Sequence, residues 1–351
     1  MSVDLIRPDL VGMSTYVSSS TPGKIRLHIN EVPWVRTEQL PVELNRYPDV
    51  EPQSNLEQEL AKNYHVAPEE LLLTRSADEG IDFVMRLFLR PGIDSIMQFP
   101  PAFLMYAFFA RLHQASVISC SLEESDFRLN TELLRQLWQP HCKLIMLCSP
   151  NNPTGNLVDL ETVATLCQEF AKRSIIVVDE AYVEFSKTVS ATTLISSFDN
   201  LLVLRTLSKA HGLAGLRLGC VIGSAPLIKA LRSIVPPFTF SSFVLETASR
   251  LLKNKSWVKR TVEDIVTFRE ALAAYLKNLS WVEKVYPSEA NFILIKTKYA
   301  QAVHAWLEHH GILIRHFAGN PSMQDKLRIT VGDATQNQAL RTTLDSFSPH
   351  L

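Results

Sequence analysis

No stretch of this 351-residue chain is apolar for long enough to cross a bilayer. The longest apolar run, AFLMYAFFA at 102–110, is about half of a membrane span and ends at Arg111. The first residues, MSVDLIRPDLVGM, carry charges at Asp4, Arg7 and Asp9, so the apolar centre of a secretion signal is missing. Basic runs interleaved with aromatics are missing as well. With 35 Lys+Arg against 36 Asp+Glu the formal net charge is −1, which argues against nucleic acid as a partner. Cysteine is scarce. The five (Cys120, Cys142, Cys148, Cys167, Cys220) are odd in number, dispersed and mostly set in apolar patterns. They predict reduced core thiols in a cytoplasmic protein, with no disulfide framework and no zinc spacing. His309 and His310 are adjacent and lack ligand spacing, so no metal is expected there.

What remains is an ordinary globular composition, 46% apolar and 20% charged, long enough for one large domain and a smaller one. From about residue 70 to 235, short β-branched or aliphatic runs (ELLLTR, DSIMQF, SVISCSL, KLIMLC, IIVVD, NLLVLR, LGCVIG) alternate with amphipathic stretches. Strands alternating with helices predict βαβ units and a largely parallel sheet covered on both faces. The continuous apolar character of IIVV and LIML fits strands buried on both sides. After about residue 240 the texture changes. One long helical region (roughly 244–278) precedes VEKVY, NFILIK, a helix at 299–310, GILIRHF, KLRITVG and a final helix, a compact α+β unit. The expected division is an N-terminal arm (1–35), a large domain (36–240) and a small C-terminal domain (241–351).

In open parallel sheets chemistry gathers at the carboxyl ends of the strands. Polar clusters stand there: SADEG at 76, PPAF at 100, SPNNPTG at 149, DEAY at 179 and TLSK at 206. Each has a plain reading. Lys209 is a turn residue, Asp179 a helix cap, Asn152 a turn asparagine, Phe103 a core aromatic and Tyr182 an amphipathic side chain. Each also has a chemical one. Asp179, at the mouth of a buried strand, suits a protonated ring nitrogen, because a buried charge needs a partner. Ser76, Ala77 and Asp78 open a helix whose free N–H groups attract an anion, and Ser208 with Arg217 supplies a charge-assisted second half. Taken in order, the set describes a pyridoxal 5'-phosphate site with Lys209 as the covalent attachment point, Asp179 on the ring nitrogen, and Asn152 and Tyr182 on the phenolic oxygen.

SPNNPTG, VVDEAYVEF and RTLSKAHGLAGLR, in that order, resemble the fold-type I pyridoxal-phosphate aminotransferases, and within them the histidinol-phosphate aminotransferases. NEVP at 30, LNRYPDV at 44, TRSADEGID at 74, QFPPAFLMY at 98, EANFILIK at 289, GILIR at 311 and LRITVG at 327 extend the resemblance over nearly the whole chain. It implies an α/β fold with a large, mostly parallel seven-stranded sheet, a small domain built from both termini, and a homodimer with shared active sites. Carried over by residue, it implies Lys209 as the Schiff-base lysine, Asp179, Asn152 and Tyr182 as ring contacts, and Phe103 as the ring-stacking residue. Ala77, Asp78, Ser208 and Arg217, with Thr206 nearby, would hold the cofactor phosphate. Arg328 would hold a substrate carboxylate, and Arg315, Tyr16, Asn30 and Tyr47 would surround the substrate, with Tyr47 also reaching the partner's cofactor.

The implied reaction moves an amino group between glutamate/2-oxoglutarate and imidazole acetol phosphate/histidinol phosphate, in histidine biosynthesis. The chain departs from the pattern at five places: Phe103 and Phe238 for tyrosine, Ser76 for glycine, His211 for an aromatic, and His28 beside Ile29 for small residues. Three other readings stand beside it: an aromatic amino acid aminotransferase of the same fold, a phosphothreonine-type decarboxylase, and a non-catalytic scaffold. The presence of Lys209, Asp179 and Arg217 together argues against the scaffold. Cofactor contacts alone do not separate lyase from transferase.

Overall fold

The computed structural model describes residues 25–28, 30, 34 and 50–348. Seven strands form the large sheet: β2 (Leu71–Thr74), β3 (Ser95–Gln98), β4 (Ser116–Ser119), β5 (Cys142–Cys148), β6 (Ile175–Asp179), β7 (Leu201–Thr206) and β8 (Gly219–Gly223), after the short arm strand β1 (Ile25–Arg26). Their order is β2-β8-β7-β6-β5-β3-β4, parallel throughout except for β8, which runs antiparallel to both neighbours. The sheet is mostly parallel and seven-stranded, as expected.

Alternation along each strand decides which residues face which layer of helices. Leu71, Leu73, Ile145, Leu147, Ile176, Val178, Leu201 and Val203 pack on one face with α1 (Val50–Tyr64). Leu72, Leu144, Met146, Val177, Leu202 and Leu204 pack on the other with α2 (Ser76–Phe88) and α3 (Met105–Leu112). Each such aliphatic side chain contributes about 1.5–3 kcal/mol by leaving water. Helices α4 (Thr131–Leu137), α5 (Leu160–Glu169) and α6 (Ala225–Arg232) complete the two layers.

The single helix expected over 244–278 is two: α7 (Ser242–Leu252) and α8 (Lys255–Lys277). The break lies at Lys253–Asn254, where the Asn254 side chain accepts the Trp257 N–H at 3.2 Å and starts α8 afresh. Leu245, Ala248, Leu251 and Leu252 of α7 join the core of the large sheet. The run GILIRHF likewise splits. Its β11 (Ile312–Leu313) pairs in parallel with β1, whereas β12 (Arg315–His316) joins a four-stranded antiparallel sheet. That sheet holds β9 (Lys284–Val285), β10 (Phe292–Lys296) and β13 (Lys326–Thr330) in the order β12-β13-β10-β9. Helices α8, α9 (Ala300–His309) and α10 (Ala334–Asp345) supply its cover. Among the described residues no helix is long and apolar enough to cross a membrane.

Candidate active site

Parallel pairing sets Cys148 beside Asp179 and Asp179 beside Leu204, so β5, β6 and β7 end together. The chain leaves their carboxyl ends as SPNNPTG, DEAY and TLSK, and a cavity of about 550 Å³ opens there. Its wall includes Asn30, Ser76, Ala77, Asp78, Phe103, Asn152, Asp179, Tyr182, Thr206, Ser208, Lys209, Arg217, Arg315 and Arg328. Segments scattered over about 300 residues of chain, from Asn30 to Arg328, therefore meet in one space.

Asp179 is 3% exposed and lies at the floor. Its Oδ2 accepts the Tyr106 hydroxyl at 2.7 Å and its Oδ1 accepts the Ala181 N–H at 3.1 Å. Both of these donors are neutral. Burial pushes the carboxyl up to about 6, against those two hydrogen bonds, which pull it down. Tyr182 is also buried. Its oxygen accepts Asn152 Nδ2 at 3.2 Å and Asn30 Nδ2 at 3.1 Å, so its own proton is left to donate into the cavity. Burial keeps that phenol neutral, pushing its pKa upward. The Lys209 ammonium sits over the Tyr182 ring at 5.7 Å. Arg328, buried on β13, donates to Asn152 Oδ1 and, at 2.7 Å, to the His28 carbonyl, which ties the small sheet to the large one.

At the other end, Arg217 Nη1 is 3.4 Å from Ser208 Oγ and Nη2 is 3.2 Å from Asp78 Oδ2. Both members of the Arg217–Asp78 pair are about half exposed, so it is worth no more than about 1 kcal/mol and an incoming anion competes with it. Ser76, at the first turn of α2, has φ +75°. Left-handed backbone favours glycine, which accounts for the glycine of the resembled family at this point. Gly219 faces the same turn. A Cβ there would lie 2.6 Å from the Arg205 carbonyl oxygen and 2.8 Å from Ala77 N, so only glycine lets β8 run so close to the start of α2.

A buried carboxylate served only by neutral donors, a phenol with a free proton, a lysine and an anion cradle fit pyridoxal 5'-phosphate. The Aminotransferase class I and II family model matches residues 18–344. The chain belongs to that family. This aminotransferase is 47% identical over 347 residues to histidinol-phosphate aminotransferase 1 of Legionella pneumophila, covering 99% of this chain and 95% of the other. It is 36% identical over 350 residues to the histidinol-phosphate aminotransferase of Xanthomonas euvesicatoria, covering 97% and 96%. The solved histidinol-phosphate aminotransferase of Sinorhizobium meliloti, in complex with pyridoxal-5'-phosphate, superposes with a TM-score of 0.81 at 22% identity, over 92% of this chain and 91% of that one. This aminotransferase is accordingly pyridoxal-phosphate-dependent and has the fold-type I architecture.

Of the residues singled out in the sequence, Tyr16 and Tyr47 lie outside the described residues. All the other residues expected to hold cofactor or substrate line the cavity. Asn30, expected against substrate, is engaged with Tyr182 and, through Oδ1 and its N–H, with Thr330 Oγ1. Sequence reasoning passed over Tyr106, Cys148, Gly219 and Phe317. Only Tyr106 left a signal, a phenol inside the otherwise apolar run AFLMYAFFA. His211 stands 3.7 Å from Glu184, and Phe238, 57% exposed, has φ +55°.

Proposed function

We propose that this aminotransferase exchanges an amino group between glutamate/2-oxoglutarate and imidazole acetol phosphate/histidinol phosphate. The observation that carries the substrate choice is Arg315. It lines the cavity half-buried, packs over the Phe317 ring at 5.8 Å, and has no carboxylate partner among the described residues. Arg328 lines the same cavity. A guanidinium such as that of Arg315, in a partly buried wall with no carboxylate among the described residues, calls for an anion and suits the phosphate of one substrate, while the second guanidinium of the cavity, Arg328, suits a carboxylate.

The bound cofactor supplies an electron sink for charge that develops at the amine-bearing carbon. Lys209 Nζ would take the proton from that carbon and return it to the carbon on the far side of the same nitrogen, two bonds away. Asp179 keeps the ring nitrogen protonated, and Asn152 and Tyr182 hold the phenolic oxygen. Phe103 covers the ring face. Ala77 and Asp78 at the start of α2, with Thr206, Ser208 and Arg217, hold the cofactor phosphate through N–H, hydroxyl and guanidinium donors. Arg328 takes the glutamate carboxylate. Arg315 takes the substrate phosphate, joined by Tyr16, Asn30 and Tyr47, the last from the second chain of a homodimer. The reading includes the large domain at 36–240, the small domain at 241–351, and a cytoplasmic setting, the last supported by five buried free thiols.

Steady-state transfer from histidinol phosphate, histidinol and phenylalanine to 2-oxoglutarate tests it. Histidinol phosphate is the preferred donor, and Arg315→Ala raises its KM roughly 10- to 100-fold, the cost of one charged hydrogen-bonded contact, while KM for glutamate stays within about 2-fold. Equal losses for both substrates would return the enzyme to the broader aromatic class.

A further inference from the structure

We infer that Tyr106 is a positioning residue for Asp179: its hydroxyl fixes Oδ2, keeps the carboxylate charged in a buried floor, and aims the unused lone pairs at the ring nitrogen. The inference rests on the reading of Asp179 as the partner of that nitrogen. Tyr106 is 1% exposed, lies in the first turn of α3, and meets Asp179 Oδ2 at 2.7 Å. Its ring stands edge-on to Phe103, centroids 5.7 Å apart. One short stretch, Phe103 to Tyr106, therefore supplies both a wall of the cavity and the clamp on its floor.

The kind of donor matters. A carboxylate has about four acceptor sites, and here one goes to Tyr106 and one to the Ala181 N–H. An arginine in place of the phenol would neutralise Asp179 and compete with a ring cation. A phenol stabilises the negative charge and leaves it whole. The other groups facing Asp179 do not do this work. Asp78 and Glu180 raise its pKa by repulsion, the buried Cys148 and Tyr182 are held neutral, and Lys209 sits over the Tyr182 ring at 5.7 Å. Without the Tyr106 hydroxyl, burial acts against only the Ala181 N–H, and the carboxyl takes up a proton nearer neutral pH.

Titrating the cofactor-free protein with pyridoxal 5'-phosphate between pH 5 and 8.5, by calorimetry, provides the test. Wild-type affinity rises through about pH 6 as Asp179 ionises. In Tyr106→Phe, which keeps the buried ring, that midpoint moves up by about one to two pH units and affinity at pH 7 falls about 2- to 10-fold. The kcat falls with KM for glutamate nearly unchanged. In an Asp179→Asn background the same substitution has no further effect on affinity, whereas a purely packing role would carry over intact. An unmoved midpoint in Tyr106→Phe, or additive losses in the double variant, overturns the role of Tyr106. An Asp179→Asn protein that binds the cofactor with wild-type affinity and pH dependence overturns the reading of Asp179 and the inference with it.

Discussion

Asp179 and Glu180 are consecutive, and each is 3% exposed, yet the fold surrounds them with opposite chemistry. Asp179 faces the α2–α3 side and receives only a phenol and an amide. Glu180 turns to the α1 side, where it accepts Ser190 Oγ at 2.5 Å, the Ala191 N–H at 2.6 Å and Arg205 Nη1 at 3.2 Å. Arg205 also donates to Glu184 at 2.7 Å and lies over the Tyr64 ring at 4.4 Å. Burial acts against the Glu184 charge, but Arg205 and His211 outweigh it and hold that carboxyl down to about 2. Burial alone therefore does not set the charge of an acid near this sheet edge. The side with a fixed cation is built for cohesion. The other side holds its carboxylate with neutral donors, as the role proposed for Asp179 requires.

Removing the cation on the cohesive side has the largest expected effect. Arg205→Ala leaves Glu180 and Glu184 buried without their counter-charge and costs about 3–5 kcal/mol, measured by urea denaturation of the cofactor-free protein. A loss below about 1 kcal/mol would mean that the two sides do not differ in this way. Asp179→Asn acts on the other side and slows turnover about 10²–10³-fold, because the amide cannot hold the ring proton. Stopped-flow measurement of the single half-reaction checks this directly; near-normal rates would place the ring elsewhere.

The smallest effect is on stability against pH, and its sign separates the two sides. Asp179 has a raised pKa in the folded chain, so its contribution is full below about pH 4, the unfolded value, and is lost as pH rises through about 6. Glu184 has a depressed one, so its contribution is present above about pH 4.5 and is lost as pH falls towards 2. Cofactor-free Asp179→Asn should thus unfold later than wild type at pH 8 and together with it at pH 4, while Glu184→Gln shows a deficit at pH 8 that shrinks on acidification. Melting curves at the two pH values suffice. A neutral-pH loss of stability in cofactor-free Asp179→Asn would break the contrast.

Much of this was legible in the residues themselves. The continuous apolar runs LIML and IIVV marked strands buried on both sides, and the structure covers both faces of them. The ordered clusters after those strands pointed to the cofactor, because parallel strands deliver their carboxyl ends to one edge. Where a pattern was purely local it also misled: periodicity ran through Lys253–Asn254 without registering the cap, and GILIRHF read as one strand although its halves serve different sheets.

Contacts between distant segments were decided only by the tertiary structure. The Tyr106–Asp179 bond spans 73 positions, Asn30–Tyr182 spans 152 and Arg328–Asn152 spans 176. No local rule links such pairs, since their meeting depends on how whole layers pack and at what offset. The sequence determined which chemistry the chain carries: a lysine, a carboxylate, a phenol and arginines at strand ends and turns. The packing decided which carboxylate meets a fixed cation and which meets only neutral donors, because a charge in a dry interior takes its properties from neighbours within a few ångströms, whatever their distance along the chain.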